Sequence, residues 1–138
     1  MTALFADTFY WIALADTNES AHRLALTLTT ERAASQIVTT DEVLTEYLNF
    51  FSSTPEPFRR MAAHGVERLL ASSVVRVVPQ SRDSFRSGLQ LYRERPDKGY
   101  SLTDCISMQT MRGEGLTEVL TNDRHFEQEG FRALFRES

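Results

Sequence analysis

Short apolar runs, each closing on polar residues and each followed by a stretch at helical spacing, narrow the folds open to this chain more than any other feature. Ala3-Leu4-Phe5-Ala6 ends at Asp7, Gln36-Ile37-Val38-Thr39 leads into Thr40-Asp41, and Glu118-Val119-Leu120-Thr121 leads into Asn122-Asp123. Val74-Val75-Arg76-Val77-Val78-Pro79 is the clearest strand, β-branched and stopped by proline. Phe131 to Phe135 reads as a last strand. Strands separated by helices imply right-handed crossovers and a mainly parallel sheet covered on both faces. The expected fold is a three-layer α/β/α sandwich of Rossmann-like topology, a single domain over residues 1–138. In such sheets ligands collect outside the carboxyl ends of the strands, where strand order reverses.

The helical stretches carry their own signals. Thr8 to Leu14 is a short aromatic helix, and after the turn Asp16-Thr17-Asn18, Ala21, Leu24, Ala25 and Leu28 recur at helical spacing to about Arg32. Thr39 and Glu42 make a capping-box pattern for the next helix, whose apolar positions are Val43, Leu44, Tyr47, Leu48, Phe50 and Phe51. Glu46 borders that stripe. Ser52-Ser53-Thr54-Pro55-Glu56-Pro57 breaks the pattern, which resumes from Phe58 to Ser72. A helix over Ser81 to Arg95 is expected to turn Phe85, Leu89 and Tyr92 inward. The helix from Ser101 carries Cys105, Ile106, Met108 and Met111 and stops at Gly113-Glu114-Gly115, while Asn122-Asp123 opens a short helix that ends at Gly130.

Composition excludes some classes. With 41% hydrophobic and 25% charged residues, the chain matches a compact globular domain. Met1 to Leu14 is apolar but lacks a basic start and carries Asp7, so it is read as strand and helix, not as a signal peptide. No apolar stretch approaches the roughly 18 residues of a membrane span, and one cysteine cannot form an internal disulfide. A soluble, cytoplasmic protein is expected. The net charge of −4 argues against holding nucleic acid by bulk charge alone. All the basic residues but Lys98 are Arg, and an Arg rim from Arg59-Arg60, Arg68, Arg82, Arg86, Arg93 and Arg95 would grip phosphate; ordinary ion pairs on solvated helix faces are the alternative.

Four acids stand out. Asp7 and Asp123 follow strand ends, and Glu46 and Asp104 sit on helices that start from the same edge of the sheet. Singly, Asp7, Asp104 and Asp123 each read equally well as helix caps, Asp104 as the acidic member of the box Ser101-Leu102-Thr103-Asp104. Glu46 is mid-helix, where the plain reading is an ion pair with an Arg. Together they suggest more, because converging carboxylates repel unless a cation neutralises them, and oxygen ligands suit Mg²⁺ or Mn²⁺. His22, His64 and His125 share no ligand spacing, so zinc is not expected; His125 could touch phosphate or simply lie at the surface. Cys105 reads as a small core residue.

Other classes that place acids at strand ends fail on named residues. A phosphorylation receiver wants a Lys after the last strand, a haloacid-dehalogenase-like phosphatase wants an acid where Phe9 stands, and a dinucleotide-binding domain wants glycines where Thr8-Phe9-Tyr10 stands. The blocks Phe5-Ala6-Asp7-Thr8, Thr39 to Glu46, Asp97-Lys98-Gly99-Tyr100-Ser101-Leu102-Thr103-Asp104-Cys105, and Leu120-Thr121-Asn122-Asp123-Arg124-His125-Phe126 with Gly130-Phe131 resemble, in order, the PIN-domain ribonucleases. The resemblance is strongest to the VapC-type toxins of bacterial and archaeal toxin–antitoxin pairs. It implies Mg²⁺- or Mn²⁺-dependent endonucleolytic cleavage of RNA. Asp7, Glu46, Asp104 and Asp123 would be the catalytic, metal-binding acids, with Thr8 and Thr121 as supporting neighbours. An antitoxin partner is expected, and the helical hairpin from Thr40 to Ser72 offers it, or the second subunit of a homodimer, an apolar surface. The alternative is a PIN-fold binding or assembly module with little nuclease activity.

Overall fold

The computed structural model describes residues 2–137; Met1 and Ser138, the ends of the expected domain, lie outside the described residues. Five parallel strands form one sheet in the order β3-β2-β1-β4-β5, with β1 at Ala3–Ala6, β2 at Gln36–Thr40, β3 at Val75–Val78, β4 at Glu118–Leu120 and β5 at Arg132–Ala133. The helices are α1 (Thr8–Ala15), α2 (His22–Glu31), α3 (Asp41–Phe50), α4 (Glu56–Leu70), α5 (Arg82–Glu94), α6 (Leu102–Glu114) and α7 (Arg124–Gln128), and a 3₁₀ turn covers Leu134–Arg136. Right-handed crossovers put α1 to α4 over one face of the sheet and α5 to α7 over the other. This is the three-layer α/β/α arrangement expected. No helix among the described residues is long and apolar enough to cross a membrane.

The central strand β1 is fully enclosed at Leu4, Phe5 and Ala6, and Val38, Val119 and Leu120 on its neighbours are equally hidden. Burial on both faces explains why these runs read as continuous hydrophobic segments. Strand order reverses at β1, because the chain goes outward to β2 and β3 and then returns to β4 on the other side. A crevice between the carboxyl ends of β1 and β4 follows from that connectivity.

Several local expectations change. Thr40, not Thr39, caps α3, accepting from the Val43 amide at 3.0 Å. Thr39 lies on the opposite side of the strand, where its hydroxyl donates to the Ala6 carbonyl at 2.9 Å and accepts from the Trp11 indole at 3.3 Å. Alternation along β2 thus separates two adjacent threonines into one tie and one cap. Glu42 instead accepts from the Ser84 hydroxyl. The helix expected from Phe58 begins at Glu56, with Pro57 in its first turn, where a missing N–H costs nothing. Val74 falls outside β3, and the last strand shortens to Arg132–Ala133 before the chain turns into the 3₁₀ segment.

The face of α5 is the larger correction. Phe85, Leu89 and Tyr92 remain 41%, 39% and 50% exposed, and Gly88 and Leu91 are the residues turned inward. A Cβ at Gly88 would lie 2.3 Å from Ile106 Cγ1 and 3.1 Å from its backbone, so α5 approaches α6 more closely than any side chain would permit. Glycine therefore defines the contact stripe, where a search for large apolar residues looks elsewhere. Phe50, expected in the core, is likewise half exposed, whereas Phe51 is buried.

Candidate active site

An open cavity of about 400 Å³ occupies the carboxyl edge of the sheet, lined by Asp7, Thr8, Phe9, Glu46, Ser101, Asp104, Thr121, Asn122 and Asp123. All four acids singled out in the sequence meet there, together with both threonines. Each arrives on a different element. Asp7 is the residue between β1 and α1, Glu46 projects from the middle of α3, Asp104 lies in the first turn of α6, and Asp123 precedes α7.

Asp7 sits at the switch point and is only 6% exposed. Although it is the N-cap of α1, its side chain makes no capping hydrogen bond. Its Oδ2 instead accepts from the Thr121 hydroxyl at 2.8 Å, across the gap between β1 and β4. Burial pushes the Asp7 carboxyl up from 3.8 to about 7, and the nearby charges of Asp104 and Glu46 push the same way; the Thr121 hydroxyl and the Thr8 amide oppose them. Glu46 has no Arg partner among the described residues. Its Oε1 accepts from the Thr8 hydroxyl at 2.5 Å, so the residue that follows Asp7 orients a second acid.

Asp104 and Asp123 hold two positions at once. Ser101 and Asp104 form a reciprocal capping box, with Asp104 Oδ2 accepting from the Ser101 amide at 3.2 Å and Ser101 Oγ accepting from the Asp104 amide at 3.0 Å. Burial raises the Asp104 carboxyl, and the charges of Asp123 and Glu46 add to this against the lowering contacts from Ser101. Asp123 accepts from the His125 amide at 2.8 Å and so caps α7, while its own amide donates to Thr121 Oγ1 at 3.2 Å. Capping and membership of the acidic pocket are therefore compatible for these two residues, because a carboxylate has more acceptor sites than a cap uses.

For His125 the sequence leaves substrate contact and surface both open, and the structure sets it behind the pocket, beside two of the acids that line it. Its Nδ1 lies 3.3 Å from Asp123 Oδ1 and 3.8 Å from Asp104 Oδ2. The signal for it was its position two residues after Asp123, on a helix whose first turn must face the same edge. The Arg rim, by contrast, is partly spent on structure: Arg95 pairs with Glu129, Arg60 with Glu56, and Arg59 donates to the Ser52 carbonyl.

Acids converging over the switch point of a parallel α/β/α sheet define the class, a PIN-like domain. No family model matches the chain, and no curated protein sequence does. Among solved structures, VapC20 of Mycobacterium tuberculosis, described as a Sarcin-Ricin loop cleaving toxin, superposes with a TM-score of 0.80 at 25% identity, over 93% of this chain and 95% of that one. VapBC2 of Rickettsia felis bound to a promoter DNA fragment gives 0.66 at 13% identity, over 96% of this chain and 97% of that one. DNA-bound VapBC of Salmonella typhimurium gives 0.65 at 18%, over the same shares of the two chains, and these last two likenesses speak for the fold alone. The chain thus has the PIN-like fold of these VapC proteins.

Proposed function

We propose that this protein is a metal-dependent endoribonuclease, the toxin half of a toxin–antitoxin pair, and that Asp7, Glu46, Asp104 and Asp123 form its catalytic, cation-binding set. The observation that carries this reading is the convergence of four carboxylates, from four separate elements, on one cavity. Similarity to VapC20, described as a Sarcin-Ricin loop cleaving toxin, supports this reading. The donor set fits a hard divalent cation such as Mg²⁺ or Mn²⁺, since it is built of oxygens and since the lifted Asp7 marks a place short of positive charge. When bound, such an ion supplies an acidified water and charge neutralisation for in-line attack at phosphorus. Thr8 fixes the Glu46 carboxylate and Thr121 fixes that of Asp7, so the acids are held in place before any ligand enters.

The pair's other half would be an antitoxin. An apolar groove of about 610 Å³, between α1, α3, α4 and the start of β3, supports this, with Trp11, Leu14, Tyr47, Leu69 and Val75 in its walls. The exposed Phe85, Leu89 and Tyr92 on α5 offer a separate face that a homodimer would cover. The protein would act in the cytoplasm, where its RNA substrates are.

The test is cleavage of total RNA by the purified, antitoxin-free chain with Mg²⁺ or Mn²⁺ against EDTA, beside Asp7→Ala and Asp104→Asn. Cation-dependent fragments that vanish in both variants are expected. Asp104→Asn keeps an acceptor for the Ser101 amide, so its fold should survive. Undiminished cleavage by that variant would remove the acids from the chemistry, and absence of cleavage by a folded chain that binds cation would favour a binding or assembly module.

A further inference from the structure

His125 stands beside this pocket, against two of its acids, and the acidic set does not use it. Its Nδ1 is shut off from solvent and has no hydrogen-bond partner, although Asp123 Oδ1 is only 3.3 Å away. Buried nitrogens in folded proteins are nearly always satisfied, so an orphan of this kind asks for a missing partner. In the tautomer with its proton on Nε2, Nδ1 carries a lone pair, as do the carboxylate oxygens 3.3 and 3.8 Å away. A shared cation would supply the missing partner, and one ligand atom each from Asp104, Asp123 and His125 lies within 4.8 Å of the other two.

The ring is also held in this attitude from behind. Tyr100 packs against it with centroids 5.1 Å apart, and the Tyr100 hydroxyl donates to Glu129 Oε2 at 2.9 Å. Glu129 is in turn clamped by Arg95 and Arg112. Support behind a metal-binding imidazole is what fixes its orientation, and here the support reaches two further elements.

We infer that His125 Nδ1 is a nitrogen ligand of the divalent cation, shared with Asp104 and Asp123, and that it biases the site toward Mn²⁺ over Mg²⁺. The inference rests on the cation site proposed above. Imidazole is a softer donor than carboxylate, and it favours transition metals over Mg²⁺, which holds to oxygen and water.

Pulsed electron paramagnetic resonance of Mn²⁺ bound to the full chain reads this without any RNA. The expected result is a ¹⁴N coupling to the Mn²⁺ spin, replaced by the ¹⁵N pattern on labelling histidine and lost in His125→Gln. Calorimetric titrations of the same proteins should show Mn²⁺ affinity falling roughly tenfold or more in His125→Gln, with Mg²⁺ affinity changing far less. Bound Mn²⁺ without nitrogen coupling in the unaltered protein would overturn the assignment while leaving the acidic site intact. A coupling that persists in His125→Gln would overturn it as well. Failure to bind Mn²⁺ or Mg²⁺ at all would instead sink the acidic cation site, and this inference with it.

Discussion

Asp7 and Glu129 are both hidden carboxylates, and the protein treats them in opposite ways. Asp7 is 6% exposed and the Glu129 side chain 4%. Burial raises both, yet Asp7 ends at about 7 and Glu129 at about 2. The difference lies in the company. Hydrogen bonds from Arg95, Arg112 and Tyr100 overcome the burial of Glu129, whereas Asp7 faces Asp104 and Glu46 with only a hydroxyl and an amide in its favour. Glu129 is a completed structure. Asp7 has no cationic partner among the described residues, so its charge goes uncompensated where that of Glu129 is paired.

The sharpest way to break this contrast is Asp7→Asn, which keeps an acceptor for Thr121 but removes the charge. RNA cleavage should drop on the order of 10²–10³-fold or more. The cation-free protein should nonetheless melt higher than the unaltered chain at pH 8. The sign follows from linkage: the folded Asp7 keeps its proton up to about 7 while an unfolded one releases it near 3.8, so cation-free stability falls as pH rises through that window. Melting curves at pH 5 and pH 8, with and without Mg²⁺, check it; the slope should flatten in the variant and on adding the ion.

Glu129→Gln attacks the other side. It leaves two guanidinium groups without their shared anion, and because both are partly exposed the cost should be about 1–3 kcal/mol. Denaturant titration reads it. In the unaltered protein the contribution of Glu129 is complete above its ordinary 4.5 and is lost as pH falls toward about 2, opposite in direction to Asp7. A variant as stable as the parent at pH 7 would deny Glu129 its bracing role.

Smaller effects sharpen the same division. Gly88→Ala forces a methyl against Ile106, on the helix that carries Asp104, and should cost about 1–3 kcal/mol of stability. Ser101→Ala removes half of a capping box and should cost about 1 kcal/mol, measurable as a small shift of the denaturation midpoint. Its cation affinity should fall too, because the same box orients Asp104; an unchanged affinity would show that Asp104 is positioned by packing alone.

Much of this was legible from residues alone. Apolar runs closed by polar residues marked strands whose ends define an edge, and Asp7, Glu46, Asp104 and Asp123 were found because each stands at or beside that edge. What escaped depended on neighbours distant in sequence. Thr39 and Thr40 look interchangeable until the pairing of β2 with β1 turns one toward Ala6 and Trp11. The inward face of α5 is set by the close approach at Gly88, a residue with no side chain to announce it. The place of His125 was fixed by Tyr100 and Glu129, which no local pattern links to it.

The hydrogen bond between Thr121 and Asp7 joins residues 114 positions apart. A contact of that span is among the last a chain can make, since loop closure must wait for everything between. While the protein is being synthesised, the segment bearing Asp7 and α1 can fold early, yet β4 must emerge before Asp7 has its partner and the crevice its second wall. The crevice that the four acids line is thus incomplete until β4 has emerged, and a fragment cut short before β4 would lack both Thr121 and Asp123.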